Sequence, residues 1–506
     1  MNYKVVFKQL GVLVFLVGAC MSTSLIWAFL DRKEEDFGQI ASAFLLSIFI
    51  CIGIGLILNF RRTQTKKMYR KEAIAVVSIG WFLCGILGAL PYIFSGVLAP
   101  LYDGWFSICS AAVFESISGF TTTGASIFPE PESLPRAILF WRSLTHWLGG
   151  MGIIVLFVAI LGEAGSGAKH MVISEVPGLP DEAPRPRIRS AAMLLWNIYV
   201  AISVAEVIAL NLQGMSIFES LCHTFGTMAT GGFSTLNGSI GQYNNLGYEI
   251  TIIVFMLLAG TSFNLYAILL GGGWRRVLSN REFQIYLLIV LCAVILLTTD
   301  IILDGPEEYT AGKALQDSSF QAVSIMTTTG YGTADFDRWP DFSRWLLVLL
   351  MFVGGCAGST GGGLKVIRVV LFFKILSLEI ASVFRPRAVK TLKIGDRPVD
   401  KSVRQNVTAY LGLVLVIFFL STLILFILHN DYCMQKEDRI NIETAFSSVA
   451  ATLNNIGPGL AMVGPTENYA FFSAPAKLFF SLLMILGRLE VMVILCMFMP
   501  SFWKKE

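Results

Sequence analysis

The chain is 506 residues long, 55% hydrophobic and only 14% charged, with a mean hydropathy of +0.68. Such a composition excludes a water-soluble globular protein and marks an integral membrane protein, and a formal net charge of +3 gives no ground for nucleic-acid binding. The nine Cys are odd in number and mostly sit inside apolar runs (Cys20, Cys51, Cys84, Cys292, Cys496), while the four His (His146, His170, His223, His429) lack metal-ligand spacing, so neither a disulfide framework nor a metal cluster is expected.

In chain order, apolar runs long enough to cross about 30 Å of hydrocarbon fall near residues 9–30, 38–60, 73–95, 137–162, 190–212, 248–271, 284–303, 343–375, 405–428 and 476–499. The first reads as a retained helix rather than a signal peptide, because it lacks a small-x-small site before the charged DRKEED and leads straight into a second run. Ten spans put both termini on one side. Segments 1–8, 61–71, 164–189, 273–283, 364–404 and 501–506 hold most of the 38 Lys and Arg, whereas the alternate loops are acidic or mixed (DRKEED, LDGPEEY). The positive-inside rule makes the basic side, with both termini, cytoplasmic.

Between the later spans a pattern recurs four times: span, outward loop, a short semi-polar segment ending in Thr/Asn-Gly, span. The segments are FESISGFTTTGAS (114–126), FESLCHTFGTMATGGFS (218–234), FQAVSIMTTTGYG (320–332) and FSSVAATLNNIGPG (446–459), aligned on Gly124, Gly231, Gly330 and Gly457. The third lies one residue from the TVGYG run whose carbonyls strip water from K⁺ in potassium channels. One strand cannot surround an ion; four in one chain can. Each segment is too short and polar to span, so each is expected to be a re-entrant helix followed by an extended strand, buried or lining a watery cavity. The expected fold is all-α integral membrane, with ten transmembrane helices and four re-entrant pore loops in pseudo-fourfold arrangement. Two extra N-terminal helices (1–71) precede pore units at 72–188, 189–283, 284–404 and 405–506.

These residues resemble the Trk/Ktr/HKT superfamily of K⁺ transporters. The four segments, the ten spans and the terminal GRLE (487–490) are similar to its bacterial TrkH-type branch. The two leading spans are typical of that branch and usually absent from KtrB, so the resemblance covers nearly the whole chain. It implies a K⁺ selectivity filter lined by Thr122, Thr123 and Gly124; Thr230 and Gly231; Thr329, Gly330, Tyr331 and Gly332; and Asn455, Ile456 and Gly457. Gly124 stands where a Ser often accompanies Na⁺ transport in plant relatives. The fourth strand departs furthest from the channel sequence, so selectivity less strict than in a symmetric channel is expected.

The eighth span is interrupted by six glycines in ten residues: Gly354, Gly355, Gly358, Gly361, Gly362 and Gly363, with Ser359 and Thr360 among them. At about 1 kcal/mol per Gly relative to Ala, regular helix is not expected to persist through them. A phosphate-binding loop is excluded, because Lys365 is not followed by Ser or Thr and the run lies within a span. Close helix packing through small residues is one reading; the resemblance implies the other, an intramembrane gate below the filter. Arg488 lies near the centre of the last span, too deep to snorkel, and two readings are open for it as well: a charge facing the pore, or an Arg clamped to helix-end carbonyls. Glu490, two residues on, points to another helix face. Arg142, nearer a span end, reads as an interfacial anchor.

The expected function is potassium uptake through a channel-like pore, not enzymatic chemistry. The longest cytoplasmic linker, 376–404, is too short for a nucleotide-binding domain, and the spans hold no paired carboxylates or nucleophile and base. No cofactor is expected in the chain itself, with K⁺ as the transported ion. The resemblance implies a TrkA-type cytoplasmic gating ring that binds NAD or ATP, a homodimer, and residence in the bacterial inner membrane; coupling to H⁺ or Na⁺, that is symport, is not written in motifs. The competing class is a secondary transporter of a small organic solute with a midplane site at broken helices, where Arg488 would hold a carboxylate.

Overall fold

The structure is a computed structural model that describes residues 1–33, 36–60, 69–152, 185–385, 392–394, 397–399, 401–430, 439–489 and 491–504. Among the described residues, regular secondary structure is helical apart from a two-residue antiparallel pairing of Lys393–Ile394 with Arg397–Pro398. Six helices among the described residues are long and apolar enough to cross a membrane: Tyr3–Leu30, Phe37–Asn59, Arg70–Phe94, Ser190–Leu212, Arg281–Asp304 and Val403–Asn430. Two helix pairs, Leu246–Ala259 with Phe263–Leu270 and Ala474–Arg488 with Val491–Phe498, bring the number to eight if each bent pair is one span. The chain is thus a multi-pass membrane protein.

The run expected at 343–375 is two helices, Asp341–Met351 and Val366–Phe384, separated by the Gly-rich stretch. The run expected at 137–162 is helical over Arg136–Gly150, and its continuation lies outside the described residues. The break foreseen in one helix occurs in others too: the first pair above bends by 90° at Gly260. Glycine at these breaks permits close approach. A Cβ on Gly149 would collide with the Phe120 carbonyl, and one on Gly487 with the Leu453 carbonyl. Phe120 and Leu453 end the short helices Trp105–Phe120 and Ile442–Leu453, so a breaking helix touches a short helix at the same place twice.

Four short buried helices, Trp105–Phe120, Ile217–Ala229, Ala311–Met326 and Ile442–Leu453, carry the recurring sequence pattern. Side chains start three of them: Ser216 Oγ accepts from Glu219 N at 3.2 Å, Thr310 Oγ1 from Lys313 N at 3.3 Å, and Asn441 Oδ1 from Thr444 N at 2.7 Å. The first two helices of the chain pack on each other, Tyr3–Leu30 also on Arg70–Gly88 and Arg136–Gly150, and Phe37–Asn59 on Leu90–Phe94.

Candidate pore and intramembrane loop

Each short helix ends the same way. Thr122, Thr230, Thr328 and Asn455 adopt left-handed φ values of 55°, 56°, 60° and 56°. The following amides then reach back five residues: Thr123 N to Ser118 O at 2.9 Å, Gly231 N to Gly226 O at 2.8 Å, Thr329 N to Ser324 O at 2.8 Å, and Ile456 N to Ala451 O at 2.9 Å. This is the helix stop usually given to Gly. A β-branched Thr in that region is strained, and strain repeated at three equivalent Thr points to a functional constraint.

Two residues after each left-handed residue stands a glycine with positive φ: Gly124 (79°), Gly232 (80°), Gly330 (83°) and Gly457 (97°). A Cβ on Gly124 would fall within 3.0 Å of the Gly231 carbonyl oxygen, one on Gly232 of Thr329 O, one on Gly330 of Ile456 O, and one on Gly457 of Thr123 O. The contacts run from the first segment to the second, third, fourth and back to the first. Four segments of one chain therefore close a ring, with the carbonyls of Thr123, Gly231, Thr329 and Ile456 at one level. No backbone donor among the described residues reaches any of these four oxygens.

The ring corrects the expected alignment at one position. Gly232, not Gly231, is equivalent to Gly124, Gly330 and Gly457; Gly231 occupies the level of Thr123, Thr329 and Ile456. The sequence leaves both open, because Thr230 stands one residue before Gly231 and two before Gly232, as Thr123 and Thr122 stand before Gly124. Thr328, omitted from the expected set, belongs to it by its left-handed φ. Tyr331 and Gly332 differ from expectation as well. Tyr331 O accepts from Ser324 Oγ at 2.7 Å and Gly332 O from Gly241 N at 3.0 Å, so both carbonyls are engaged by the surrounding fold. The Tyr331 ring is fully buried, its hydroxyl donating to His223 O at 3.0 Å. Tyr469 likewise donates to Gly457 O at 2.9 Å.

A buried ion pair supports the ring from behind. Arg142 Nε donates to Glu115 Oε1 at 2.7 Å, with side-chain exposures of 2% and 0%. Glu115 Oε2 accepts from Ile127 N at 2.9 Å, and Arg142 Nη2 donates to Ser126 Oγ at 3.0 Å. The Arg142 guanidinium also lies 4.2 Å from the centroid of the Phe233 ring. Arg142 is thus no interfacial anchor: it ties the first segment to the second. His146 does the same, with Nδ1 2.8 Å from Gly119 O and Nε2 accepting from Phe233 N at 3.2 Å. Neither role has a sequence signal, because each partner lies tens of residues away.

On one side of the ring is a cavity of about 70 Å³ bordered by Gly124, Gly232, Gly330 and Gly457. On the other side the Gly-rich stretch crosses beneath. Gly362 N donates to Thr328 Oγ1 at 2.7 Å, and a Cβ on Gly362 would meet Asn454 O at 2.7 Å. The stretch is also bonded to the break in the second unit's helix: Cys356 N to Gly260 O at 2.9 Å, Phe263 N to Gly358 O at 2.9 Å, and Thr360 Oγ1 to Ala259 O at 3.1 Å. Thr360 serves a freed carbonyl as its chemistry suggests, whereas Ser359 Oγ is buried with no hydrogen-bond partner among the described residues. Gly358, Gly361, Gly362, Gly363 and Arg488 border a second cavity of about 50 Å³.

The contacts of Arg488 are those of the clamped reading. Its Nη1 donates to Thr360 O at 2.8 Å, and its Nη2 donates to Gly149 O at 2.6 Å and Gly150 O at 2.8 Å. It is clamped to helix-end carbonyls, and one of its anchors is the Gly-rich stretch itself. Glu490 lies outside the described residues.

A family model described as TrkH, a cation transport protein, matches residues 40–505. The chain is 36% identical over 513 residues to the Trk system potassium uptake protein TrkH of Salmonella typhimurium, covering 100% of both chains. It is 32% identical over 508 residues to the Trk system potassium uptake protein TrkG of Escherichia coli, covering 99% of each. Among solved structures, the crystal structure of the potassium transporter TrkH from Vibrio parahaemolyticus matches with a TM-score of 0.85 and 31% identity over 100% of both chains. A sequence matched from end to end, on a fold matched from end to end, makes this chain a member of the TrkH family of cation transport proteins, which are not enzymes.

Proposed function

We propose that this chain takes up potassium ions through a pore whose selectivity filter is the four-segment ring. The observation that carries the reading is the closed cyclic contact of Gly124, Gly232, Gly330 and Gly457 with the carbonyls of Gly231, Thr329, Ile456 and Thr123. Carbonyl dipoles left without backbone donors can replace the hydration shell of a cation, and the names of the full-length relatives support K⁺ as that cation. The filter comprises Thr122, Thr123, Gly124, Thr230, Gly231, Gly232, Thr328, Thr329, Gly330, Asn455, Ile456 and Gly457. Its repeating frame corresponds to pore units 72–188, 189–283, 284–404 and 405–506, with 1–71 as an added helix pair and the short helices re-entrant from the outer face.

The stretch from Gly354 to Gly363 is the gate, lying across the conduction path and held there by Thr328, Ala259, Gly260 and Arg488. Arg488 adds a positive charge beside the path. A nucleotide acts on this gate through another protein, a TrkA-type cytoplasmic ring that binds NAD or ATP and docks on the basic loops. The chain works as a homodimer in the bacterial inner membrane with both termini cytoplasmic. The three backbone carbonyls that Arg488 serves weigh against the organic-solute reading, in which this side chain would hold a carboxylate.

Uptake of ⁸⁶Rb⁺ into liposomes holding the purified chain, with K⁺, Na⁺ or amino acids as competitors, tests the proposal. Competition by K⁺ well above Na⁺ and none by amino acids is expected; competition by an amino acid would replace this reading with the solute transporter. The same assay under an imposed proton gradient separates passive conduction from symport.

A further inference from the structure

The Gly-rich stretch is held at the ring by Thr328 and Arg488, and at its opposite part by a residue that neither the filter nor the broken helix supplies. Ala357 N donates to Glu282 Oε1 at 2.7 Å. Glu282 sits in the first turn of Arg281–Asp304, which Asn280 caps by accepting from Phe283 N at 3.0 Å, so the carboxylate projects from a fixed helix end. An acceptor bearing full charge makes this a stronger bond than the neutral amide-to-carbonyl bonds around it. Ala357 lies between Cys356, bonded to Gly260 O, and Gly358, bonded by Phe263 N. These neighbours join the stretch to the second unit, whereas Glu282 joins it to the third unit's own outer helix.

That helix begins directly after the short helix Trp274–Leu278, which bears Arg275 and Arg276. Any displacement of this basic connection shifts the end that carries the Glu282 carboxylate. Small movements there reach the stretch through the Glu282 carboxylate, which also takes a backbone hydrogen bond from Ile367 just beyond the stretch, and through the apolar cluster in which Phe283 and Tyr286 meet Cys356 and Val366.

We propose that Glu282 is a positioning residue that latches the Gly-rich stretch in its blocking place, so that movement of the connection at residues 274–280 releases it. The latch rests on the reading of that stretch as a gate. Losing one charge-assisted bond raises the open fraction about tenfold, the equivalent of about 1.4 kcal/mol.

The test uses the full chain in liposomes without any partner protein, comparing wild type, Glu282→Ala, Glu282→Gln and a variant with the 354–363 stretch shortened. ⁸⁶Rb⁺ uptake is expected to rise about tenfold in Glu282→Ala and less in Glu282→Gln, which retains an acceptor oxygen at the same reach. Hydrogen exchange at 354–363 is expected to quicken in the same order, while the K⁺/Na⁺ ratio stays that of wild type. Wild-type flux in Glu282→Ala beside a leaking shortened variant would overturn the latch and leave the gate standing. Wild-type flux in both would remove the gate and the latch together. If Glu282→Ala does not yield folded protein, unchanged exchange at 354–363 in Glu282→Gln overturns the proposal.

Discussion

Arg488 Nη1 and the carbonyl oxygen of Thr360 lie 2.8 Å apart, joining the fourth unit's broken helix to the third unit's Gly-rich stretch. The other guanidinium nitrogen holds Gly149 and Gly150 at the end of a helix in the first unit. One side chain thus spans three of the four repeats directly beneath the ring. Bonds to a charged donor contribute about 1.5–3 kcal/mol each, so the Arg is both a structural clamp and a restraint on the stretch it touches.

Arg488→Gln should therefore do two things at once. Without a partner protein, ⁸⁶Rb⁺ flux should rise at least tenfold as the stretch loosens and the charge disappears; thermal unfolding in detergent should shift a few degrees lower as the clamp is lost. Melting and flux measured on one preparation decide this. A destabilised protein with wild-type flux would mean that Arg488 only holds helices together.

Ring glycines at equivalent positions should fail alike. Gly124→Ser and Gly232→Ser each place a side chain against a neighbouring ring carbonyl at a φ that disfavours it. Each should lower K⁺ over Na⁺ discrimination about tenfold, the effect of 1.4 kcal/mol in relative binding. Competition curves for Na⁺ against ⁸⁶Rb⁺ report this. Discrimination intact in a folded Gly232→Ser variant would return the alignment to Gly231.

Glu115 and Arg142 offer a stability cycle. Removing one member of a buried pair leaves the other charged and unpaired, a cost of about 3–5 kcal/mol, whereas replacing both by neutral residues of similar size costs much less. Glu115→Gln and Arg142→Met should each lower the melting temperature more than the double variant does. Additive losses would show that the two residues act independently.

Within the Gly-rich stretch, position matters more than count. A Cβ on Gly354 collides with the backbone oxygen of Gly362, while one on Gly363 meets atoms at 3.6 Å, an ordinary contact. Gly354→Ala should therefore prise the stretch apart and raise partner-free flux several-fold. Gly363→Ala, strained only by its φ of 61°, should raise it less. Equal fluxes in the two variants would argue that packing of this segment does not control conduction.

The sequence by itself determined the solvent, the family and the repeat. Apolar length, basic asymmetry and the recurrence of Thr/Asn-Gly are local quantities, and each is written in consecutive residues. It also located the interrupted helix, since six glycines cannot sustain one. Tertiary structure alone decided the register of the second segment, where two adjacent glycines compete and only the neighbour's carbonyl distinguishes Gly232 from Gly231. It likewise decided what Arg142, Arg488 and Glu282 do. A buried charge in a membrane protein must find partners, yet hydrogen bonds join Arg142 to a short helix 27 residues away, Arg488 to carbonyls more than a hundred residues away, and Glu282 to an amide 75 residues on. Pattern reading sees the cost of such a charge; only the folded chain supplies the atoms that meet it.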